Sequence, residues 1–336
     1  MAEPAQVARD PAPALSLRGL NVTFQTRRGA LRAAADVDLE VGRGELVALV
    51  GESGSGKSVT ARAILGLDPA NARVVAHELR VDGHDLLSLN AEQRRLLRGA
   101  GVSLVFQDAL SALNPVLTVR DQIGELFRVH RGLSRREARR ESADLLDLVG
   151  IPDAARRVRD YPHQFSGGMR QRILIAMAIA LEPALLVADE PTTALDVTVQ
   201  AQILELLDRL RRDLGMGVLL ITHDLGVVSE IADRVAVMYA GRIVETGRAD
   251  DLLRRPAHPY TGALLRSLPQ GITGGELVPI PGAPPNLMQL PPGCAFTPRC
   301  GWAVDDCRDV RPEPRPVHGQ RSSACHRAEE VLRAGT

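Results

Sequence analysis

Residues 46–58 read LVALVGESGSGKS, and this stretch decides the fold. Its first part, Leu46–Val50, is a continuous apolar run, which is typical of a strand buried on both faces of a parallel sheet. Its second part matches G-x-x-x-x-G-K-[ST], in which glycines let backbone N–H groups surround phosphates at the start of a helix. We therefore predict a strand, a phosphate-binding loop and a helix in succession. The predicted phosphate-binding residues are Gly51, Glu52, Ser53, Gly54, Ser55, Gly56, Lys57, Ser58 and Val59.

Lys57 is the only lysine in the chain, and the other residues in the Lys+Arg total of 41 are arginines. A lysine ammonium is a compact point charge, whereas the arginine guanidinium is larger and planar. Because the single lysine lies inside the motif, we expect Lys57 to reach the β- and γ-phosphates of a nucleotide. The Ser58 hydroxyl is expected to bind Mg²⁺.

Apolar strand patterns and helical patterns alternate after this motif. This alternation predicts an α/β fold with a largely parallel sheet and right-handed crossovers. Before the motif, residues 15–24 and 34–41 alternate polar and apolar side chains, which indicates two edge strands. A helix is predicted over residues 197–214. The buried strands predicted after the motif are residues 102–106, 184–188, 218–221 and 234–239.

The middle of the chain has a different composition. Arg, Glu, Leu and Ala dominate residues 108–165, with helical spacing at 119–130 and 135–149. We predict a helical subdomain over about 108–169, followed by an apolar helix at 171–181. Residues 1–14 are rich in Ala and Pro and are expected to form a disordered leader.

An acidic pair follows one of the buried strands. Asp189 and Glu190 come directly after the apolar residues 185–188, and the carboxyl ends of parallel strands line the ligand crevice of such sheets. Asp189 is therefore expected to hold Mg²⁺ through water. Glu190 is expected to polarise the water that attacks the γ-phosphorus.

Composition excludes several classes of protein. The 336-residue chain has 41 basic and 41 acidic residues, and a net charge of zero argues against a nucleic-acid binder. Its longest apolar run, residues 173–181, is far shorter than the roughly 20 residues that span a bilayer. The first 13 residues lack the apolar core of a signal peptide, so a cytoplasmic location is expected.

A second glycine-rich helix start lies at residues 165–172, which read FSGGMRQR. Ser166, Gly167 and Gly168 combine a hydroxyl with bare N–H groups at a helix N-terminus, which predicts a second anion site. Here the sequence resembles the ATPases of ABC transporters, whose signature is usually written LSGGQ. The resemblance covers about residues 15–254 and implies a P-loop NTPase fold: a RecA-like core with an ABC helical subdomain and an antiparallel β edge.

The resemblance also implies roles for single residues. Gln107 is similar to the glutamine that contacts Mg²⁺ or the attacking water and senses the membrane partner. Asp196 resembles the family's D-loop aspartate, and His223 its switch histidine, which contacts the γ-phosphate. Phe24 is the candidate for stacking on adenine, and packing in the core is an equally good interpretation of it.

Residues 255–336 form a small, irregular, proline-rich C-terminal extension. Its start, around His258 and Tyr260, and its cysteines resemble the extension of oligopeptide and dipeptide importer ATPases, a group that includes nickel importers. We interpret His258 and Tyr260 as a packing element. Four clustered cysteines in a reducing compartment favour a metal site over disulfides, and the resemblance implies a [4Fe–4S] cluster. Zinc and buried free thiols are the alternatives. The cysteines are Cys294, Cys300, Cys307 and Cys325.

Together these features predict an ATP-hydrolysing subunit that powers import of di- or oligopeptides. The partners that the resemblance implies are two membrane-spanning permease subunits, a second ATPase subunit and, indirectly, an extracytoplasmic binding protein. The second ATPase subunit is a copy of this chain or, as the resemblance favours, a paralogue. The expected location is the cytoplasmic face of the membrane. One alternative is an importer of nickel or another small solute. A DNA-maintenance ATPase is a distant alternative, because no sustained heptads separate Lys57 from Ser166.

Overall fold

The computed structural model describes residues 12–107, 112–193, 195–267 and 278–335. Its main sheet has eight strands in the order β12-β13-β11-β10-β3-β9-β8-β7. The five strands from β10 to β7 pair in parallel, as the alternation of strands and helices predicts. Six strands of this sheet precede the C-terminal extension: β3 (Leu46–Val50), β7 (Val102–Val105), β8 (Leu185–Asp189), β9 (Gly217–Thr222), β10 (Arg234–Tyr239) and β11 (Arg242–Arg248).

A second, antiparallel sheet covers one face of the first, and its residues share a core with β3 and β9. Its order is β2-β1-β5-β6, with β4 also paired to β1. The predicted leader reaches into this core, since Ala14 is completely buried; residues 1–11 lie outside the described residues. The strands are β1 (Leu15–Thr26), β2 (Gly29–Val41), β4 (Ala72–Val75), β5 (Glu78–Val81) and β6 (His84–Asp85).

Eight helices of the described chain precede β10. α3 and α4 form most of the helical subdomain, where Ile123, Phe127 and Leu146 are buried in one core with the apolar helix α6. Ser134 begins α4 with a capping box to Glu137. Residues 108–111 of the predicted subdomain lie outside the described residues. The helices are α1 (Lys57–Leu65), α2 (Ala91–Ala100), α3 (Val119–Arg131), α4 (Arg135–Leu148), α5 (Ala154–Arg157), α6 (Gly167–Ile179), α7 (Val197–Leu214) and α8 (Leu225–Ile231).

The C-terminal extension is built onto the main sheet. β13 pairs antiparallel with β11, and β12 pairs antiparallel with β13. Tyr260 and Phe296 are buried in one core with Val50 of β3. The extension is thus less irregular than its proline content suggests. α9 (Ala249–Arg254) directly precedes the extension, whose elements are α10 (Pro259–Arg266), α11 (Asp306–Asp309), β12 (Arg315–His318), β13 (Arg321–Ser323) and α12 (Ala328–Ala334). No helix in the described ranges is long and apolar enough to cross a membrane.

A buried polar pair joins β11 to the start of α10. The Glu245 carboxylate accepts the N–H groups of Ala257 and His258 at 2.7 and 3.1 Å. The Nδ1 atom of His258 accepts the N–H of Tyr260 at 3.1 Å and so begins α10. Burial raises the pKa of Glu245 to about 7 and lowers the pKa of His258 to about 4. The packing role predicted for His258 agrees with this geometry.

The buried imidazole predicts a loss of stability in acid. Because the pKa of His258 is about 4 in the folded chain and the ordinary value for a histidine is 6.5, the unfolded chain binds the extra proton between these values. Stability is therefore lost as the pH falls from 6.5 to 4. His258→Asn keeps an acceptor for the Tyr260 N–H but has no ring to protonate. Its free energy of unfolding should therefore fall less than that of the wild type, and the difference should reach about 3 kcal/mol at pH 4. Urea unfolding of both proteins across this range measures the difference.

Glu245 acts in the opposite direction, since its raised pKa stabilises the fold as the pH falls, but it is present in both proteins and cancels in the comparison. His84→Asn, at an exposed histidine, is the matched control and should leave the pH profile of the wild type unchanged. Parallel profiles for His258→Asn and the wild type would contradict the prediction.

Candidate nucleotide-binding site

The loop between β3 and α1 lies against the backbones of two strands. A Cβ atom at Gly51 would stand 2.2 Å from the Met238 carbonyl oxygen, and one at Gly56 would stand 2.4 Å from the Ala33 carbonyl oxygen. Gly56 also has a φ of 110°, in the region that favours glycine. α1 begins at Lys57 without a side-chain cap, so the loop presents the uncapped N-terminus of a helix.

Lys57 is folded back onto this loop. Its Nζ donates to the carbonyl oxygens of Gly51 and Glu52 at 2.8 and 3.0 Å, and only 5% of the residue is exposed. Burial lowers the pKa of Lys57, and the carboxylates of Glu190, Asp189 and Glu52 oppose this. The Ser55 hydroxyl oxygen is buried without a hydrogen-bond partner in the described part of the chain. A buried ammonium and an orphaned hydroxyl fit a loop that binds phosphate.

Two oxygen donors meet beside the loop. Ser58 Oγ donates to Asp189 Oδ1 at 3.1 Å, joining α1 to the end of β8. Burial and the neighbouring Glu190 raise the pKa of the Asp189 carboxyl group. A hydroxyl and a carboxylate are ligand types that Mg²⁺ prefers, so this pair fits the predicted magnesium site.

Two predicted catalytic residues converge on the carboxylate of the third, Glu190. Glu190 Oε2 accepts Nε2 of Gln107 at 2.9 Å and Oγ1 of Thr193 at 3.0 Å. Nδ1 of His223 lies 3.2 Å from the other oxygen, Oε1. Glu190 has a φ of 49°, an uncommon value for a residue with a side chain, and its N–H donates to the Ile221 carbonyl at 2.8 Å. The carboxylate is therefore fixed from three sides. No sequence pattern had singled out Thr193 as a partner of Glu190.

The second glycine motif lies beside the predicted D-loop. Ser166 and Gly167 are exposed, and Ser166 Oγ caps α6 by accepting the Met169 N–H at 3.4 Å. A Cβ at Gly168 would stand 2.6 Å from Val199, whose N–H donates to Asp196 at 2.9 Å. The two predicted motifs thus adjoin on one surface. Phe24 is half-buried on β1 and packs against the core, so the structure leaves both interpretations of it open.

The four cysteines all lie in the extension, and none forms a disulfide. The N–H of Cys294 donates to the carbonyl of Cys307 at 2.8 Å. Burial raises the pKa of Cys300 to about 11 and that of Cys325 to about 12, and the other thiols add to both shifts. Within the described ranges, no group of three or more His, Cys, Asp or Glu side chains has the arrangement of a metal site.

The extension also contacts the phosphate-binding loop, which the sequence analysis missed. The Glu52 N–H donates to the Tyr260 hydroxyl at 2.8 Å. The Arg299 guanidinium donates to both oxygens of the Glu52 carboxylate, at 2.7 and 3.0 Å. Glu52 and Arg299 are 247 positions apart, and no motif or periodicity connects them, so no local sequence signal could have found this pair.

Comparisons with known proteins match both parts of the chain. The model of the ABC transporter family matches residues 34–193, and that of the oligopeptide/dipeptide transporter C-terminal region matches residues 244–307. The dipeptide transport ATP-binding protein DppD of Bacillus subtilis is 51% identical over 300 residues, which cover 89% of this chain and 90% of that protein. A Brucella melitensis protein whose name describes a peptide import ATP-binding protein is 51% identical over 332 residues. These residues cover 95% of this chain and 98% of that protein.

Solved structures share the fold. The dimeric post-hydrolysis state of the ATP-binding cassette MJ0796 with ADP and Pi has a TM-score of 0.62 and 28% identity, and covers 70% of this chain and 98% of that one. The cbiO1 part of the cbiONQ transporter complex of Clostridium perfringens has a TM-score of 0.60 and 27% identity. The match covers 71% of this chain and 90% of that one. Since the relatives at 51% identity also span the extension, the chain belongs to the ABC-transporter ATPases that carry the oligopeptide/dipeptide transporter C-terminal region.

Proposed function

We propose that this ATPase powers the import of di- or oligopeptides from the cytoplasmic face of the membrane. The observation that carries the ATPase part is the Glu190 carboxylate, held by Gln107 and His223 beside the Ser58–Asp189 pair. Peptide transport rests on the match to the C-terminal region and on the names of the relatives that match nearly the whole chain. For the same reason, the nickel-importer and DNA-maintenance alternatives are not favoured.

Each part of the site has a chemical role in this proposal. The loop N–H groups and Lys57 bind the phosphates, and Ser58 and Gln107 bind Mg²⁺, with Asp189 acting through water. Mg²⁺, when bound, neutralises charge on the β- and γ-phosphates. Glu190 accepts a proton from the attacking water, and His223 contacts the γ-phosphate. Phe24 is the proposed contact for adenine.

The exposed second glycine motif supports a role for a second ATPase subunit. Ser166, Gly167 and Gly168 present a helix N-terminus at the surface, where it can close over the γ-phosphate of a nucleotide held by a partner, with Asp196 alongside. Hydrolysis removes the shared contact and lets the two subunits separate. The helical subdomain would dock on two permease subunits and transmit this motion. A paralogue is the proposed partner ATPase, and an extracytoplasmic binding protein delivers the peptide.

Glu190→Gln keeps the size of the side chain and its hydrogen bonds but removes the base. We expect ATP binding to survive and turnover in the assembled transporter to fall at least about tenfold, because proton transfer from water is lost. The closed dimer of the two ATPase subunits should accumulate when ATP is present. Size-exclusion chromatography detects this dimer. Wild-type turnover in the assembled variant would contradict the role of Glu190.

Lys57→Arg tests whether the site needs an ammonium. The guanidinium is too large and planar for the two carbonyl contacts of Lys57, so we expect ATP affinity to fall about tenfold, equivalent to roughly 1.4 kcal/mol. Titration of ATP with the purified chain measures this. Arg212→Lys, at an exposed position on α7, is the control and should bind as the wild type does. Equal affinity of Lys57→Arg and the wild type would show that the lone lysine is coincidental.

We propose that Cys294, Cys300, Cys307 and Cys325 hold a [4Fe–4S] cluster. The kind and number of donors fit, since four thiolates are the usual ligand set and, besides burial, the other three cysteines all contribute to the raised pKa of Cys325. Burial raises the pKa of Cys294, Cys300 and Cys325, so these three thiols stay protonated unless a metal replaces the protons. The cluster would cross-link residues 278–335, in which few apolar side chains are buried.

Iron analysis tests the cysteine site. Anaerobically purified protein should be brown with about four irons per chain, and Cys300→Ser should lose the colour. The backbone N–H of Trp302, the only tryptophan, donates to Cys300 Sγ at 3.4 Å, so the indole is close in the chain to the site and its fluorescence should change when the iron is lost. One zinc per chain without iron would replace the cluster with a zinc site, and four freely titrating thiols would exclude a metal.

A further inference from the structure

We propose that Tyr260 and Arg299 of the C-terminal extension are positioning residues of the phosphate-binding loop, so that the extension sets the affinity of the site for ATP. This inference rests on the proposed ATP binding and deepens it. It assigns a role in nucleotide binding to a region that follows the family's ATPase domain in the chain. The contacts all pass through one residue, Glu52.

Glu52 is bonded through each of its polar groups. Its N–H donates to the Tyr260 hydroxyl, and its carboxylate accepts the Arg299 guanidinium. Its carbonyl oxygen accepts Lys57 Nζ at 3.0 Å and the Ser55 N–H at 3.2 Å. The extension therefore fixes the peptide group that holds the catalytic ammonium. A shift of Glu52 would move the acceptor of Lys57.

The two positioning side chains are themselves held firmly. The Arg299 side chain is 5% exposed, its Nε donates to the Pro281 carbonyl at 2.7 Å, and it contacts the Tyr239 hydroxyl at 3.4 Å. The ring of Tyr260 is completely buried, 4.5 Å from the ring of Tyr239 and 5.4 Å from that of Phe296. A buried, two-pronged arginine–carboxylate contact fixes direction as well as distance.

The geometry explains why a loop of small residues needs external support. Glycines give the loop its shape but supply no side chains to hold it. In the described structure, Lys57 is bonded to the carbonyls of Gly51 and Glu52, and it must exchange these for phosphate oxygens when ATP binds. Glu52 must keep its position during this exchange. Tyr260 and Arg299 supply that constraint from outside the loop.

Tyr260→Phe is the sharpest test, because it removes one hydroxyl and leaves the ring packing intact. We expect the Kd of the full chain for Mg-ATP to rise about tenfold, since the half-buried N–H of Glu52 loses its partner and the loop its support. In the assembled transporter, KM for ATP should rise while kcat stays near that of the wild type. Amide hydrogen exchange of the peptide that contains Glu52 should become faster. Tyr161→Phe, at an exposed tyrosine of the helical subdomain, should change none of these.

Arg299 variants form a graded series. Arg299→Lys keeps the charge but loses the two-pronged contact, and should raise the Kd less than Arg299→Met does. Arg308→Met, at an exposed arginine nine residues further along the same extension, is the matched control and should bind as the wild type does. If Arg299→Met fails to fold, Tyr260→Phe and Arg299→Lys decide the question.

The outcomes separate this inference from the proposed function. Wild-type Kd and wild-type exchange at Glu52 in both Tyr260→Phe and Arg299→Lys would overturn the positioning role and leave the ATPase proposal intact. A fall in kcat with unchanged KM would also overturn it, because the two residues would then act on the chemical step. Failure of the wild type itself to bind Mg-ATP would overturn both proposals.

Discussion

The whole site depends on how closely the loop after β3 approaches the neighbouring backbones. At Gly51 and Gly56 the carbonyl oxygens of Met238 and Ala33 occupy the space that a Cβ atom would need. The loop can therefore lie between β10 and β2 only if both positions are glycine. This close approach directs α1 to the carboxyl ends of the strands. There Ser58 meets the end of β8, and Lys57 is buried beneath the loop.

Parallel strand pairing brings the remaining groups to the same end of the sheet. β7, β8 and β9 all end there, and they are followed by Gln107, Glu190 and His223 respectively. Three residues that are distant in the chain thereby meet at one carboxylate. The left-handed conformation of Glu190 turns the chain sharply at the end of β8. An exposed loop could not hold a base with this accuracy, whereas three paired strands can.

Features with a local physical cause could be predicted from the sequence. The bounds of β3, α7 and β10 agree with the prediction. The two strands are apolar runs with clear ends, and α7 keeps a helical pattern between Asp196 and Gly215. The helix predicted to begin at residue 171 starts at Gly167 instead, since Ser166 caps it. The short strands β4, β5 and β6 were not predicted, because two to four residues show no periodicity. Contacts such as Arg299 with Glu52 depend on the tertiary fold alone.

The pairing of β13 with β11 has a consequence for solubility. Without the extension, β11 would end the main sheet as an open edge of seven residues, with backbone groups available to pair with another chain. The strand that actually ends the sheet, β12, has only four residues, and Pro316 within it has no N–H to donate. The extension thus replaces a long edge strand that could pair with another chain by a short edge strand that resists strand addition. A chain that stopped after α9 would be prone to aggregate during synthesis, before any partner could cover it.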